Sequence, residues 1–132
     1  MGFFRPRTLR ALIVDDELST RLILRAMLSR MKLEVIDASN GQEALHLIRQ
    51  EKQRVDLVIT DINMPVMDGV RLIYELRSGK STFEGRILAL STEDSGSPAA
   101  RMARANGADY YLTKPVSKAS LEREISLCLS CL

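Results

Sequence analysis

Tryptophan is absent, histidine occurs once, and aromatic residues make up only 5% of the 132-residue chain. Nucleic-acid binders of this size carry a basic stripe interleaved with stacking aromatics. Neither is present, and a net charge of +2 is too mild to suggest such a partner. No stretch approaches the roughly 18 unbroken apolar residues that a membrane span requires. The opening MGFFRPRT contains no hydrophobic run long enough for a secretory signal. A cytoplasmic protein without a membrane partner is expected. Cysteine is scarce too: Cys128 and Cys131 stand in LCLSCL at the end of the chain. Two thiols without two further ligands do not close a zinc site. Leu121, Ile125, Cys128, Leu129 and Leu132 recur at helical spacing, so Cys128 is predicted to pack as a small hydrophobe. There are no internal repeats and no low-complexity runs.

What remains has the composition of an ordinary globular domain, with 45% hydrophobic and 27% charged residues. One domain of this length buries a core without staples. Four short apolar runs each end on a reactive side chain. They are LRALIVDDE (Asp15, Asp16), VDLVITDINMP (Asp61), RILALST (Ser91, Thr92) and DYYLTKP (Lys114). Their length and branched or aromatic content favour buried strands.

Strands are predicted to begin near Leu9, Leu33, Val55, Arg86 and Asp109, with segments of helical period between them. That alternation implies a parallel sheet covered by helices on both faces. The fold class is α/β: a single (βα)5 domain with the flavodoxin-like strand order 2-1-3-4-5. Strand two, ending in Asp37-Ala38-Ser39, becomes the edge, and the chemistry-bearing strands one, three, four and five become contiguous.

The first helix is predicted over Leu18 to Met31, with Leu22, Ile23, Ala26, Met27 and Met31 facing inward and Leu24 and Leu28 off that stripe. The second starts at Asn40 with Glu43 as a capping-box-like partner. The third follows Asp68-Gly69, the fourth has Ser97 as cap and Pro98 at its first position, and the fifth begins after Pro115 with Ser117 as cap. His46 falls on the outward side of the second helix, opposite Ala44 and Ile48, and is read as a surface residue. Residues 1–8 form a basic leader expected to be disordered, and the domain proper is expected over 9–132.

A parallel sheet gathers strand-end groups at its carboxyl edge, where open α/β sheets bind ligands. Asp15, Asp16 and Asp61 cannot all be ionised there at low cost. Two unit charges about 4 Å apart interact by roughly 4 kcal/mol at an effective dielectric near 20. Either one carboxylate keeps a proton or a divalent cation neutralises the cluster. Hard oxygen ligands without His or Cys favour Mg2+ over zinc, and Mg2+ so held usually meets a phosphate. Lys114 supplies a point charge for that anion, and a Ser or Thr hydroxyl a hydrogen bond. The set describes phosphoryl transfer with one carboxylate as nucleophile. Each piece has a plainer reading: an Asp-Asp pair as helix cap, a Lys before Pro as a turn residue, a strand-end Ser as structure. Four such coincidences at successive strand ends make the plainer readings poor value together.

The motifs VDDE, TDINMPVMDG, ALST and ADYYLTKPV, spread over about Leu9 to Ser130, resemble a response-regulator receiver domain of two-component signalling, in the CheY-like superfamily. The resemblance implies that Asp61 is the phosphoacceptor, receiving its group from a sensor histidine kinase or phosphotransfer protein. It implies Asp16 as a direct Mg2+ ligand, Asp15 acting mainly through water, and Asn63 lending its backbone carbonyl. Lys114 would hold a phosphoryl oxygen, aimed by a cis bond to Pro115. Ser91 would be the switch hydroxyl and Tyr111 the aromatic that follows it, shifting the face formed by the fourth helix, fifth strand and fifth helix. A downstream protein or an effector domain would read that face, the domain acting as a monomer or as a phosphorylation-dependent dimer. It would be a switch that catalyses only its own phosphorylation and dephosphorylation, either free-standing or the front end of a longer regulator.

One departure stands out. Ser91 to Lys114 is 23 positions, one more than the family pattern, whereas Thr92 to Lys114 is 22. Counting from Asp61, Ser91 falls at the expected 30, and alternation through ILALS also favours it. Ser91 is therefore preferred, Thr92 is the runner-up, and the additional residue is assigned to the loop EDSGSP. Among rivals, a haloacid-dehalogenase-type phosphatase would need a second aspartate where Asn63 stands. An FMN protein would not line its phosphate loop with Asp15-Asp16-Glu17. A degenerate receiver that only binds partners is the remaining alternative.

Overall fold

The computed structural model describes residues 8–50, 54–79 and 82–130. The leader, apart from Thr8, and Cys131 and Leu132 lie outside the described residues. The elements follow as β1 (Arg10–Val14), α1 (Leu18–Arg30), β2 (Glu34–Ala38), α2 (Gly41–Arg49), β3 (Leu57–Asp61), α3 (Gly69–Arg77), β4 (Arg86–Ser91), α4 (Pro98–Asn106), β5 (Tyr110–Thr113) and α5 (Lys118–Leu129). The five strands form one parallel sheet in the order β2-β1-β3-β4-β5. Among the described residues no helix is long and apolar enough to cross a membrane.

Strand alternation divides the interior into two cores. Leu12, Val14, Val58, Ile87 and Ala89 turn to one face, where they meet Leu45, Leu72, Ile73, Leu76 and Ala103 of α2, α3 and α4. Ala11, Ile13, Leu57, Ile59, Leu88 and Leu90 turn to the other face, against Leu24, Leu28, Leu121, Ile125 and Cys128 of α1 and α5. A sheet buried on both faces explains why the strands read as continuous apolar runs. Cys128 is fully buried, and burial pushes its thiol up to about 12, so it behaves as a hydrophobe.

Helix starts follow the predicted caps at Asn40, Ser97 and Ser117, and Asp68 caps α3 as well. The side chains of Asn40, Asp68, Ser97 and Ser117 accept from the backbone N–H of Glu43, Arg71, Ala100 and Ser120 respectively. Glu43 reaches back to the N–H of Ser39 rather than to that of Asn40. α4 ends at Gly107, whose φ of +121° suits glycine. A side chain there would also collide with Arg77 Cγ at 2.5 Å.

The expected inner stripe of α1 is overturned. Leu24 and Leu28 are the buried residues, at 4% and 0% exposure, whereas Leu22 and Ile23 stand 55% and 57% exposed. Met27 and Met31 do pack inward. This helix carries more apolar residues than one face holds, so two overlapping stripes fit its period. The stripe that packs is Leu24, Met27, Leu28 and Met31. In that facing Arg21 and Arg25 both pair with Asp37 on β2, at 3.4 and 3.5 Å, and Arg25 also donates to the Val35 carbonyl.

Candidate functional site: an acidic pocket at the carboxyl edge

β1 and β3 lie side by side, so Asp15, one residue past Val14, and Asp61, the last residue of β3, emerge at the same edge. Carboxylate oxygens of Asp15, Asp16 and Asp61 lie within 4.8 Å of one another. Asp15 is fully buried, Asp61 nearly so, and Asp16 exposed. The Lys114 ammonium, one residue past β5, reaches over this cluster to 3.0 Å from Asp15 Oδ2 and 3.2 Å from Asp61 Oδ1. The Lys114–Pro115 peptide is cis.

Asp15 has both oxygens engaged, since Oδ1 accepts from the Glu17 N–H at 2.9 Å while Oδ2 takes Lys114. Its own backbone carbonyl accepts from Arg21 at 2.6 Å, which ties the start of α1 to the pocket. Asp61 is held from behind. Gly69 packs on it so closely that an added Cβ would lie 2.2 Å from the Asp61 carbonyl oxygen, and the Gly69 N–H donates to Ile62 at 2.8 Å. Glycine is required there by close approach of backbone.

Electrostatics are those of surplus negative charge. Burial raises the Asp61 pKa above the usual carboxylate range, and the charges of Asp15 and Asp16 push the same way against the opposing pull of Lys114. For Lys114, burial alone would lower the pKa, but its hydrogen bonds to Asp15 and Asp61 and their charges outweigh it and leave it raised. One ammonium faces three carboxylates. Three hard oxygen donors with a net deficit of positive charge fit a divalent cation of the Mg2+ kind.

β4 carries Ser91 to the same edge, opposite Thr113 of β5. Ser91 is buried, and its Oγ accepts from the Glu93 N–H at 3.1 Å and, at 3.5 Å, from Asn63 Nδ2. Ser91 thus shares the parity of Ile87 and Ala89. Thr92, exposed, lines a groove beside α1 with Ile23, Leu24, Met27, Lys114, Pro115 and Val116. Tyr111 stands apart from the carboxylates: its hydroxyl donates to the Glu93 carbonyl at 2.7 Å. His46 is exposed on α2, within 2.7 Å of Gln50.

Sequence reasoning did not find two participants, Arg21 and Arg104, and gave a third, Glu93, a different part. Arg21, on the Asp15 carbonyl, left only its basic character as a signal. Glu93 is expected from the sequence at the pocket mouth for its side chain, but it is its backbone that joins Ser91 to Tyr111. Arg104 has its guanidinium 5.4 Å from the centre of the Tyr111 ring. Its place seven residues before Tyr111 carried no periodic cue.

Comparison with known proteins agrees with this geometry. Residues 11–126 match the family model described as the response regulator receiver domain. The chain is 40% identical over 121 residues to the probable transcriptional regulator ycf27 of Guillardia theta, covering 91% of this chain and 45% of that protein. It spans between 16% and 48% of the length of the curated relatives it matches. Among solved structures, chemotaxis protein CheY4 of Vibrio cholerae matches with a TM-score of 0.83 and 32% identity, covering 92% of this chain and 99% of that one. Response regulator TrrA of Thermotoga maritima, in complex with Mg(2+)-BeF, matches with a TM-score of 0.78 and 30% identity over 92% of this chain and 99% of that one. By its family match and by its fold, this chain belongs to the response regulator receiver domains.

Proposed function

We propose that this domain is a phosphorylatable switch in which Asp61 accepts a phosphoryl group from a phosphohistidine of a sensor kinase or phosphotransfer protein. The observation that carries the reading is the convergence of Asp15, Asp16, Asp61 and Lys114 on one point of the sheet edge. An Asp61 carboxylate oxygen bonds to phosphorus as the P–N bond to the donor imidazole breaks, and the imidazole departs as the neutral base once protonated. Lys114, already 3.2 Å from Asp61 Oδ1, holds a transferred oxygen.

Asp16 and Asp61, with the backbone carbonyl of Asn63, would hold Mg2+ directly. Asp15, with both oxygens engaged, would act through water. When bound, the ion neutralises charge on the phosphoryl oxygens. The protein's own contribution is to fix these ligands on rigid strand ends before the donor arrives.

Phosphorylation adds about −1.5 to −2 charges and three acceptor oxygens. Ser91 Oγ, now turned to Glu93 and Asn63, would turn to that group, and Tyr111 would follow through Glu93. The face formed by α4, β5 and α5 would shift its population toward the form that a downstream protein or effector domain reads.

The test is to treat the protein with a small phosphodonor and Mg2+, then reduce with borohydride, which converts an acyl phosphate of aspartate to homoserine. Peptide mass spectrometry should find homoserine at position 61. Label elsewhere, or none, contradicts the assignment.

A further inference from the structure

We propose that Arg104 is a positioning residue that ties the β4–α4 loop to Tyr111, so that loop and ring respond together when Ser91 leaves its present partners. The proposal rests on the reading of Asp61 as a phosphoryl acceptor.

Glu93 is the corner of the connection. Its N–H donates to Ser91 Oγ at 3.1 Å and its carbonyl accepts from the Tyr111 hydroxyl at 2.7 Å. Those two bonds fix Glu93. Beyond it the loop is closed on itself by Asp94, which accepts from the Gly96 and Ser97 N–H groups at 2.9 and 3.1 Å, and neither of the Asp94 bonds reaches β5. The loop is the one with the additional residue, EDSGSP. Two arginines of α4 also hold the loop. Arg101 donates to the Gly96 carbonyl at 3.0 Å, and Arg104 donates to the Ser95 carbonyl at 2.7 Å.

Arg104 does more than its neighbour. Its guanidinium also lies 5.4 Å from the centre of the Tyr111 ring, within the range of a cation–π contact. Among the described residues Arg101 has no such ring contact. The contacts therefore close a circuit: Ser91 to Glu93, Glu93 to Tyr111, Tyr111 to Arg104, Arg104 to Ser95 and, through two peptide units, back to Glu93. A planar, always-charged guanidinium can serve a carbonyl and an aromatic face at once, which a lysine does less well. Contacts that differ between two arrangements set their balance, and Arg104 holds contacts on both moving parts.

The experiment uses the full chain, isotopically labelled at backbone amides and tyrosine rings, with and without Mg2+ and beryllium fluoride as phosphoryl mimic. Wild type, Arg104→Met, Arg104→Lys and Arg101→Met are compared by NMR. In wild type, the mimic should move the Ser91, Glu93 and Ser95 amides and the Tyr111 ring together. In Arg104→Met, Ser91 and Glu93 should respond as in wild type, while the Ser95 and Tyr111 responses fall at least twofold. Arg104→Lys should regain part of the loss, and Arg101→Met should leave the Tyr111 response intact. A full Tyr111 and Ser95 response in Arg104→Met, or an equal loss in Arg101→Met, overturns the proposal. Silence at Ser91 and Glu93 in wild type would instead remove the acceptor reading on which it rests.

Discussion

Lys114 stands 3.0 Å from Asp15, so the end of β5 is joined to the end of β1 across the two strands between them. The ammonium occupies the acidic pocket as its resident cation. A divalent ion must therefore bind against a positive charge already in place. Lys114→Met should tighten Mg2+ binding by about tenfold, equivalent to about 1.4 kcal/mol, while abolishing efficient phosphorylation. Calorimetric titration with Mg2+ checks the first part; an unchanged or weaker affinity contradicts it.

Asp61, the proposed acceptor, is held at a cost to the fold. Its pKa is raised in the folded state, chiefly by burial. A carboxyl with a raised folded pKa adds stability below its unfolded value of 3.8, and that stability is lost as pH rises through the folded value. At neutral pH without metal, Asp61→Asn should therefore be the more stable protein, by about 0.5–2 kcal/mol. The difference should shrink as pH falls and vanish below about pH 3, where the aspartate is protonated in both states. Urea midpoints for both proteins across pH, in chelator, decide this; a destabilised Asn variant at pH 7 contradicts it.

Ser91 and Thr92 are adjacent but have different surroundings: Ser91 is buried and Thr92 exposed. Ser91 Oγ meets Glu93 and Asn63, and Thr92 lines the groove beside α1. Ser91→Ala should weaken the phosphorylation-induced change in the Tyr111 environment several-fold, whereas Thr92→Ala should leave it near wild type. Equal effects by NMR would sink the assignment.

Arg77 joins the other end of the molecule. It donates to the carbonyls of Phe83, Gly85 and Gly107 at 2.7, 2.8 and 3.1 Å and pairs with Asp109 at 2.9 Å. Asp109 in turn accepts from the Ile87 N–H at 2.8 Å. Arg77→Met should lower stability by about 2–3 kcal/mol, the cost of leaving the partly buried Phe83, Gly85 and Gly107 carbonyls without their donor, while Arg86 at 3.5 Å still pairs with Asp109. Phosphoryl acceptance should survive in the folded fraction. A loss under about 0.5 kcal/mol by denaturant titration contradicts the hub role.

The strand order and the convergence of Asp15, Asp61, Ser91 and Lys114 were legible because both depend on where apolar runs end. The caps at Asn40, Ser97 and Ser117 were legible because capping is local. What the sequence hid are contacts made by long side chains between distant positions. Two stripes fit the period of α1, and the one that packs, Leu24, Met27, Leu28 and Met31, is also the one that brings Arg21 and Arg25 to Asp37 on β2. Arg77 and Arg104 gather backbone carbonyls, and a carbonyl has no letter in a sequence.

The central claim is that Asp61 takes a phosphoryl group with the help of a divalent ion. Intact-mass measurement after incubation with acetyl phosphate and Mg2+, on wild type and Asp61→Asn, tests it most directly. A gain of one phosphoryl group is expected in wild type alone, abolished by chelator. An equal gain in Asp61→Asn would contradict the acceptor, and absence of any gain together with absence of Mg2+ binding would leave a receiver fold that serves only to bind partners.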